Sequence, residues 1–184
     1  MMMAFGMLAG VLSAKRTGQG QVIDCAMVDG AALLATTPYA NRILGGWRDE
    51  RGVNLLDGGA PFYDSYETAD GRFIAIGSLE PQFYSLLLER LGLLDDPDFD
   101  NQMHTAAWPA MRAKLAAIFA SDTRDNWCAL LQGTDICFAP ILSLEEAPLH
   151  PHNVARKTFI DVNGLIQPAP APRFDKTPAP MPNE

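Results

Sequence analysis

The spacing of apolar and polar positions changes several times along this chain, and each change predicts an element. Residues 1 to 14 are almost continuously apolar and are followed by Lys15, Arg16 and Gly18, the basic residues and glycine that close a helix, so a helix is predicted over 2–16. Val22 and Ile23 give Gln21 to Ala26 the character of a short strand, and Ala31, Leu33, Leu34 and Ala35 predict a second helix over 27–44. From residue 62 the pattern becomes that of a hairpin. Phe62, Tyr63, Ser65, Tyr66 and Thr68 have high β propensity, Ala69-Asp70-Gly71-Arg72 supplies the turn, and Phe73, Ile74 and Ile76 form the return strand. Pro81 suits a first helical turn, and Phe83, Leu86, Leu87 and Leu91 then recur at helical spacing.

Further along, Met111, Leu115, Ile118 and Phe119 form a core stripe on a helix over 109–120. Thr123 caps the next helix, which carries Trp127, Leu130 and Leu131 and stops at Gly133. Ile136 to Leu142 reads as a strand broken by Pro140, suited to a sheet edge or to a place where a helix follows, and Ser143-Leu144-Glu145-Glu146 reads as the start of a short helix. Thr158 to Asp161 and Leu165 to Gln167, joined through Asn163-Gly164, predict a second hairpin. The remainder, from Pro168, is proline-rich and extended.

This order predicts an α/β fold in two parts. Residues 1–56 read as a remnant of a larger α/β layer with a linker, 57–167 as a small α+β domain with a β-hairpin and helices, and 168–184 as an extended tail. Gly45-Gly46 and Gly58-Gly59 bracket an irregular segment carrying Arg48, Asp49, Arg51 and Asp57, read as solvated loop charges ahead of substrate contacts.

Charge narrows the functional classes. A formal net charge of −8 and a pI near 4.8 argue against nucleic acid or an anionic membrane as partner, since both call for clustered Lys and Arg. The 14-residue apolar start lacks a basic leader and is too short to span a bilayer, and with no targeting ending at Asn183-Glu184 the expected location is cytoplasmic. Cys25, Cys128 and Cys137 are odd in number and widely spaced, which predicts reduced thiols rather than a disulfide framework or a metal site. His104 lies in a polar stretch, and His150 and His152 flank Pro151 in a predicted loop; all three read as solvated or capping residues.

Glu80 is the candidate for chemistry. It stands between a strand and a helix, immediately before Pro81, where a carboxylate has rigid support on both sides. The alternative is a helix cap favoured by the macrodipole, worth about 1 kcal/mol or less.

The segments GQVIDCAMVDGAALLA, GGAPFYDSYETADGRFIAIGSLEPQFY and APRF resemble the family III (CaiB/BaiF-like) coenzyme A transferases, and within them the α-methylacyl-CoA racemases, with GSLEPQFY the most specific stretch. The resemblance covers nearly the whole chain. It implies that Glu80 supports an active-site histidine during proton transfer at the α-carbon of a 2-methylacyl thioester, with acyl-CoA as substrate and no other cofactor. The histidine and the Gly-Asp turn that the resemblance implies for an N-terminal half are not found here, and residues 1–8 resemble the inside of the helix that follows that turn. The expectation is therefore a chain resembling only the C-terminal half of the family, which forms a homodimer or associates with the other half. Two alternatives stay open: a family III transferase moving CoA between carboxylic acids, and a non-catalytic association fragment.

Overall fold

The computed structural model describes residues 1–182 and divides the chain into two compact units, Met1–Gly59 and the remainder from Ala60. In the first unit, α1 runs over Met2–Thr17 and ends at Gly18, whose φ of 74° is the left-handed conformation glycine adopts without a Cβ penalty. The predicted strand at 21–26 is not formed. An extended strand needs a partner for its N–H and C=O groups, and no strand lies in this unit among the described residues. Instead the segment runs as a strap against α1: a β-carbon at Gly10 would overlap the Ile23 side chain, and one at Gly6 would lie 3.1 Å from Cys25 Sγ. The two glycines thus form the notch that receives Ile23.

The predicted helix over 27–44 is also corrected. It divides at Ala35 into α2 (Met27–Leu34) and α3 (Thr36–Ile43). Pro38 is the reason: it has no N–H to donate to Leu34 and its ring crowds that carbonyl, so the helix restarts with Pro38 in a first turn. Beyond α3, Asn54 organises the loop. Its amide nitrogen donates to Arg48 O at 2.9 Å and Asp57 Oδ2 at 2.7 Å, its Oδ1 accepts from Arg48 N at 2.7 Å, and its own backbone N–H donates to Asp57 Oδ1 at 2.8 Å.

The second unit holds the core. β1 (Tyr63–Glu67) and β2 (Phe73–Gly77) form the predicted antiparallel hairpin with Tyr66 opposite Ile74, and β3 (Phe138–Ile141) adds to the far edge of β2 with Pro140 opposite Ile74. An edge position tolerates Pro140 because a proline has no N–H for a further strand. Alternation puts Tyr66, Ile74 and Ile76 on the buried face and Tyr63, Ser65, Glu67 and Phe73 outside. The unit carries the helices α4 (Pro81–Leu91), α5 (Trp108–Phe119), α6 (Arg124–Leu131) and α7 (Pro151–Arg156), with α5 against β1 and α6 against β3. Phe62, Ile74, Leu87, Phe99, Met111, Leu115, Phe119 and Leu131 are almost wholly buried. Phe119 lies between Tyr66 and Trp127, with ring centroids 5.1 and 5.2 Å away.

Thr123 caps α6 as predicted, accepting from Asn126 N at 3.3 Å. Ser143–Glu146 opens a short helical turn as expected: Ser143 N donates to Glu146 Oε2 at 2.9 Å, Glu146 N donates to Ser143 Oγ at 3.1 Å, and Ala147 N donates to Ser143 O at 3.0 Å, leading into one 3-10 turn at Ala147–Leu149. His150 and Pro151 do not lie in a loop: Pro151 opens α7, and His150 Nδ1 caps it by accepting from His152 N. β4 (Phe159–Val162) and β5 (Leu165–Pro168) form the second predicted hairpin as a separate two-stranded sheet. Pro168, the first residue of the predicted tail, ends β5, and from 169 to 182 the tail has no regular structure; it is strapped down by Arg173, whose guanidinium donates to the Arg156 and Lys157 carbonyls, and residues 183–184 of the predicted tail lie outside the described residues.

Candidate functional site

Glu80 occupies the N-cap position of α4 with extended backbone, φ −74° and ψ 145°. Cap residues of this type usually turn their side-chain oxygen back onto the amides of the first turn. The Glu80 side chain makes no such bond, and the residue is exposed. Its backbone carbonyl accepts the helix-opening bonds instead, from Phe83 N and Tyr84 N, both at 3.0 Å. The carboxylate is therefore at the positive end of α4 but not consumed by it.

The peptide that carries Glu80 is held tightly. Gly77 N donates to Cys137 O at 3.0 Å, Ser78 N to Phe62 O at 2.9 Å, and the fully buried Ser78 hydroxyl to Ile136 O at 2.7 Å. Gln102, 22 residues further along, donates its side-chain amide to Ser78 O and Leu79 O at 3.0 Å each. Trp108 Nε1 in turn donates to Gln102 O at 2.9 Å, and its ring packs edge-on against Phe62, centroids 5.9 Å apart. Tyr84 meets the same phenylalanine at 5.6 Å and donates its hydroxyl to Phe99 O.

Beside this joint the outer face of the sheet forms an open depression of about 310 Å³ lined by Tyr63, Asp64, Ala75, Ile76, Gly77, Cys137 and Ala139. A β-carbon at Gly77 would stand in ordinary contact with Cys137 and Tyr63, at 3.5 and 3.6 Å, so the glycine leaves this part of the floor open. Partial desolvation, and after it the negative charges of Glu80 and Asp135, push the Cys137 thiol above its ordinary range. Cys137 itself has a left-handed φ of 56°.

The other predicted candidates fall elsewhere. Asp49 pairs with Arg42 at 2.9 Å, Arg48 approaches Glu50 at 3.8 Å, and Asp57 accepts from Asn54, so these loop charges serve the loop. His104 precedes a 3-10 turn without capping it, and among the described residues no histidine hydrogen-bonds or ion-pairs with Glu80. The described residues also contain no cluster of His, Cys, Asp or Glu able to hold a metal ion, and no helix long and apolar enough to cross a membrane. Gln102, Ser78 and Cys137 were not legible as site residues. Gln102 sits in a polar stretch without periodicity, and only the fold brings it to Leu79.

The profile of CoA-transferase family III matches residues 1–184. The chain belongs to that family. Within CoA-transferase family III it is similar to the α-methylacyl-CoA racemases of Mus musculus and Homo sapiens, each 46% identical over 180 residues that make up 97% of this chain and 47% of the relative. It is similar at 27% identity to the succinyl-CoA:glutarate CoA-transferase of Mus musculus, across 94% of this chain and 42% of that protein. The chain thus spans about half the length of the curated relatives it matches. Among solved structures, Rv3272 from M. tuberculosis superposes with a TM-score of 0.71 at 20% identity, over 95% of this chain and 46% of that one. A CAIB/BAIF family protein from Brucella suis gives 0.70 at 21%, over 97% and 47%. These two establish the fold, which accords with the α/β class read from the sequence.

Proposed function

We propose that this chain contributes to an α-methylacyl-CoA racemase, in which the α-proton of a 2-methylacyl thioester is removed on one face and returned on the other. A base takes the proton, the thioester oxygen carries the enolate charge, and a second group reprotonates the α-carbon. The thioester is its own electron sink, so the chain's residues have only to place and move protons. Glu80 acts in this scheme as the carboxylate of a proton relay: it accepts a hydrogen bond from an imidazole, fixes its tautomer and favours its protonated form. That imidazole is proposed to lie outside these 184 residues, in keeping with a match to 47% of the racemases. The observation that carries the reading is the free Glu80 carboxylate, at a cap position without a cap bond and on a joint anchored from both sides.

Racemase is favoured over CoA transfer by identity, 46% against 27%. The two chemistries separate in one assay. In catalytically competent enzyme carrying this sequence, a 2-methylacyl-CoA in deuterated water should acquire α-deuterium without any acceptor acid. Dependence of turnover on a second carboxylic acid, with no exchange, would assign the transferase instead. Glu80→Gln keeps the size of the side chain and removes its charge, so exchange should fall by more than about tenfold while the fold persists. Undiminished exchange would return Glu80 to a structural role.

The proposal extends to a homodimer, supported by the exposed apolar side chains of α1, and to a cytoplasmic place in fatty-acid metabolism, supported by three cysteines that stand unpaired as in a reducing compartment.

A further inference from the structure

We propose that Gln102 is a positioning residue for Glu80, acting through the peptide group that leads into it. The proposal rests on the reading of Glu80 as a relay carboxylate. The direction of the Glu80 side chain from the backbone is set by its φ and ψ. Its ψ side is held by the helix, because its own carbonyl accepts from Phe83 N and Tyr84 N. Its φ side depends on the Leu79–Glu80 peptide plane, and the oxygen of that plane is Leu79 O. Gln102 Nε2 donates one hydrogen bond to Leu79 O and its second to Ser78 O, both at 3.0 Å. A single amide nitrogen therefore holds two consecutive carbonyls in one orientation, using both of its protons. Rotation of the Leu79–Glu80 peptide would break the bond to Gln102 at Leu79 O, while the preceding Ser78–Leu79 peptide is held at both ends, by Gln102 at Ser78 O and by Leu79 N donating to Gly77 O at 2.8 Å.

The clamp is itself fastened to the core. Trp108, 6% exposed, donates to the Gln102 carbonyl, and its ring lies edge-on to the fully buried Phe62. Phe62 O receives Ser78 N, which closes the circuit from Gln102 through Trp108 and Phe62 back to the joint. A residue needed only to satisfy a loop carbonyl would not require this bracing. A side chain that must hold a carboxylate at a reproducible angle does, since misplacement by about 1 Å commonly costs on the order of a hundredfold in rate.

Gln102→Met matches the glutamine in length and removes both donors. In catalytically competent enzyme carrying this sequence, α-proton exchange should show kcat reduced on the order of tenfold, with KM for the 2-methylacyl-CoA within about twofold, as expected for a loss of reacting geometry rather than of binding. The decisive comparison is with Glu80→Gln. If Gln102 works through Glu80, the double variant is no slower than Glu80→Gln alone. Trp108→Phe, which keeps the ring and deletes only the donor to Gln102, is the milder companion should Gln102→Met fold poorly. It should lower kcat a few-fold, on the order of threefold, again with no further loss in the Glu80→Gln background.

Equal losses from the Gln102 or Trp108 change with and without the Glu80 carboxylate would show an independent structural contribution and overturn the inference. So would unchanged kcat in both variants while Glu80→Gln abolishes exchange, an outcome that leaves the role of Glu80 intact. Exchange that survives Glu80→Gln undiminished overturns the relay reading, and this inference with it.

Discussion

Two helices of equal average apolar character meet opposite fates in this molecule. α5 buries Trp108, Met111, Leu115 and Phe119, whereas α1 buries nothing, leaving Phe5 71%, Leu8 72% and Leu12 70% exposed. The same holds across the units: α2 and α3 have no buried residue either, with Leu33 and Leu34 both open. The difference is one of partners. α5 faces a sheet whose inner positions alternate to meet it, while α1 meets the strap at Ile23 and touches α2 near Gly30 through Met2, neither of which buries it. An apolar helix states a demand for burial, and the fold around it decides whether the demand is met. At about 1.5 to 3 kcal/mol per large side chain, the unburied face of α1 is a substantial reserve of association energy.

The sharpest test of this contrast is a matched pair of truncations. Phe119→Ala removes a fully buried ring between Tyr66 and Trp127 and should cost about 3–5 kcal/mol in urea unfolding. Phe5→Ala on α1 should change stability by no more than about 0.5 kcal/mol. Equal costs would mean that α1 is packed as well as α5.

The next effect concerns how the second unit is closed at its polar edge. The Arg124 side chain, 7% exposed, donates to both Glu146 oxygens at 2.6 and 2.9 Å and to Ile141 O at 2.8 Å. Its hydrogen bonds are the chief reason that the Glu146 carboxyl is brought down from 4.5 to about 2. A group depressed on folding stabilises the native state above its unfolded value and loses that contribution as pH falls through the folded one. Melting temperature should therefore fall between about pH 4.5 and 2. Asp96, lowered first by its bond from Lys114, adds to the same limb. Arg124→Met should lower the melting temperature at neutral pH, by less than Phe119→Ala, and flatten this acid limb. An unchanged acid limb in the variant would assign the loss to other carboxylates.

Thr123→Ala removes the bond from Asn126 N and should cost about 1 kcal/mol. Smallest in stability, yet visible in solution, is Leu8→Lys with Leu12→Lys. Both sites are exposed, so unfolding should shift by about 0.5 kcal/mol or less, while binding of a hydrophobic dye and self-association fall. If the two lysines unfold the protein, α1 is a core helix after all.

Legibility followed locality. The first hairpin, the cap at Thr123 and the stripe on α5 were readable because each rests on neighbours a few residues apart. Failures came where a partner was missing or a proline intervened. Gln21 to Ala26 had the composition of a strand, but no strand lies in its unit among the described residues. The break at Ala35 was foreshadowed by Pro38 in the sequence.

The candidate site divides in the same way. The sequence by itself determined that a carboxylate stands between β2 and a helix opened by Pro81, since strand propensity, proline geometry and helical spacing are local properties of the chain. Tertiary structure alone decided that this carboxylate forms no cap bond and that Gln102 and Trp108 brace the peptide before it. Those contacts span loops of 6 to 24 residues, where closure depends on core packing rather than on residue preference, and so no local pattern announces them.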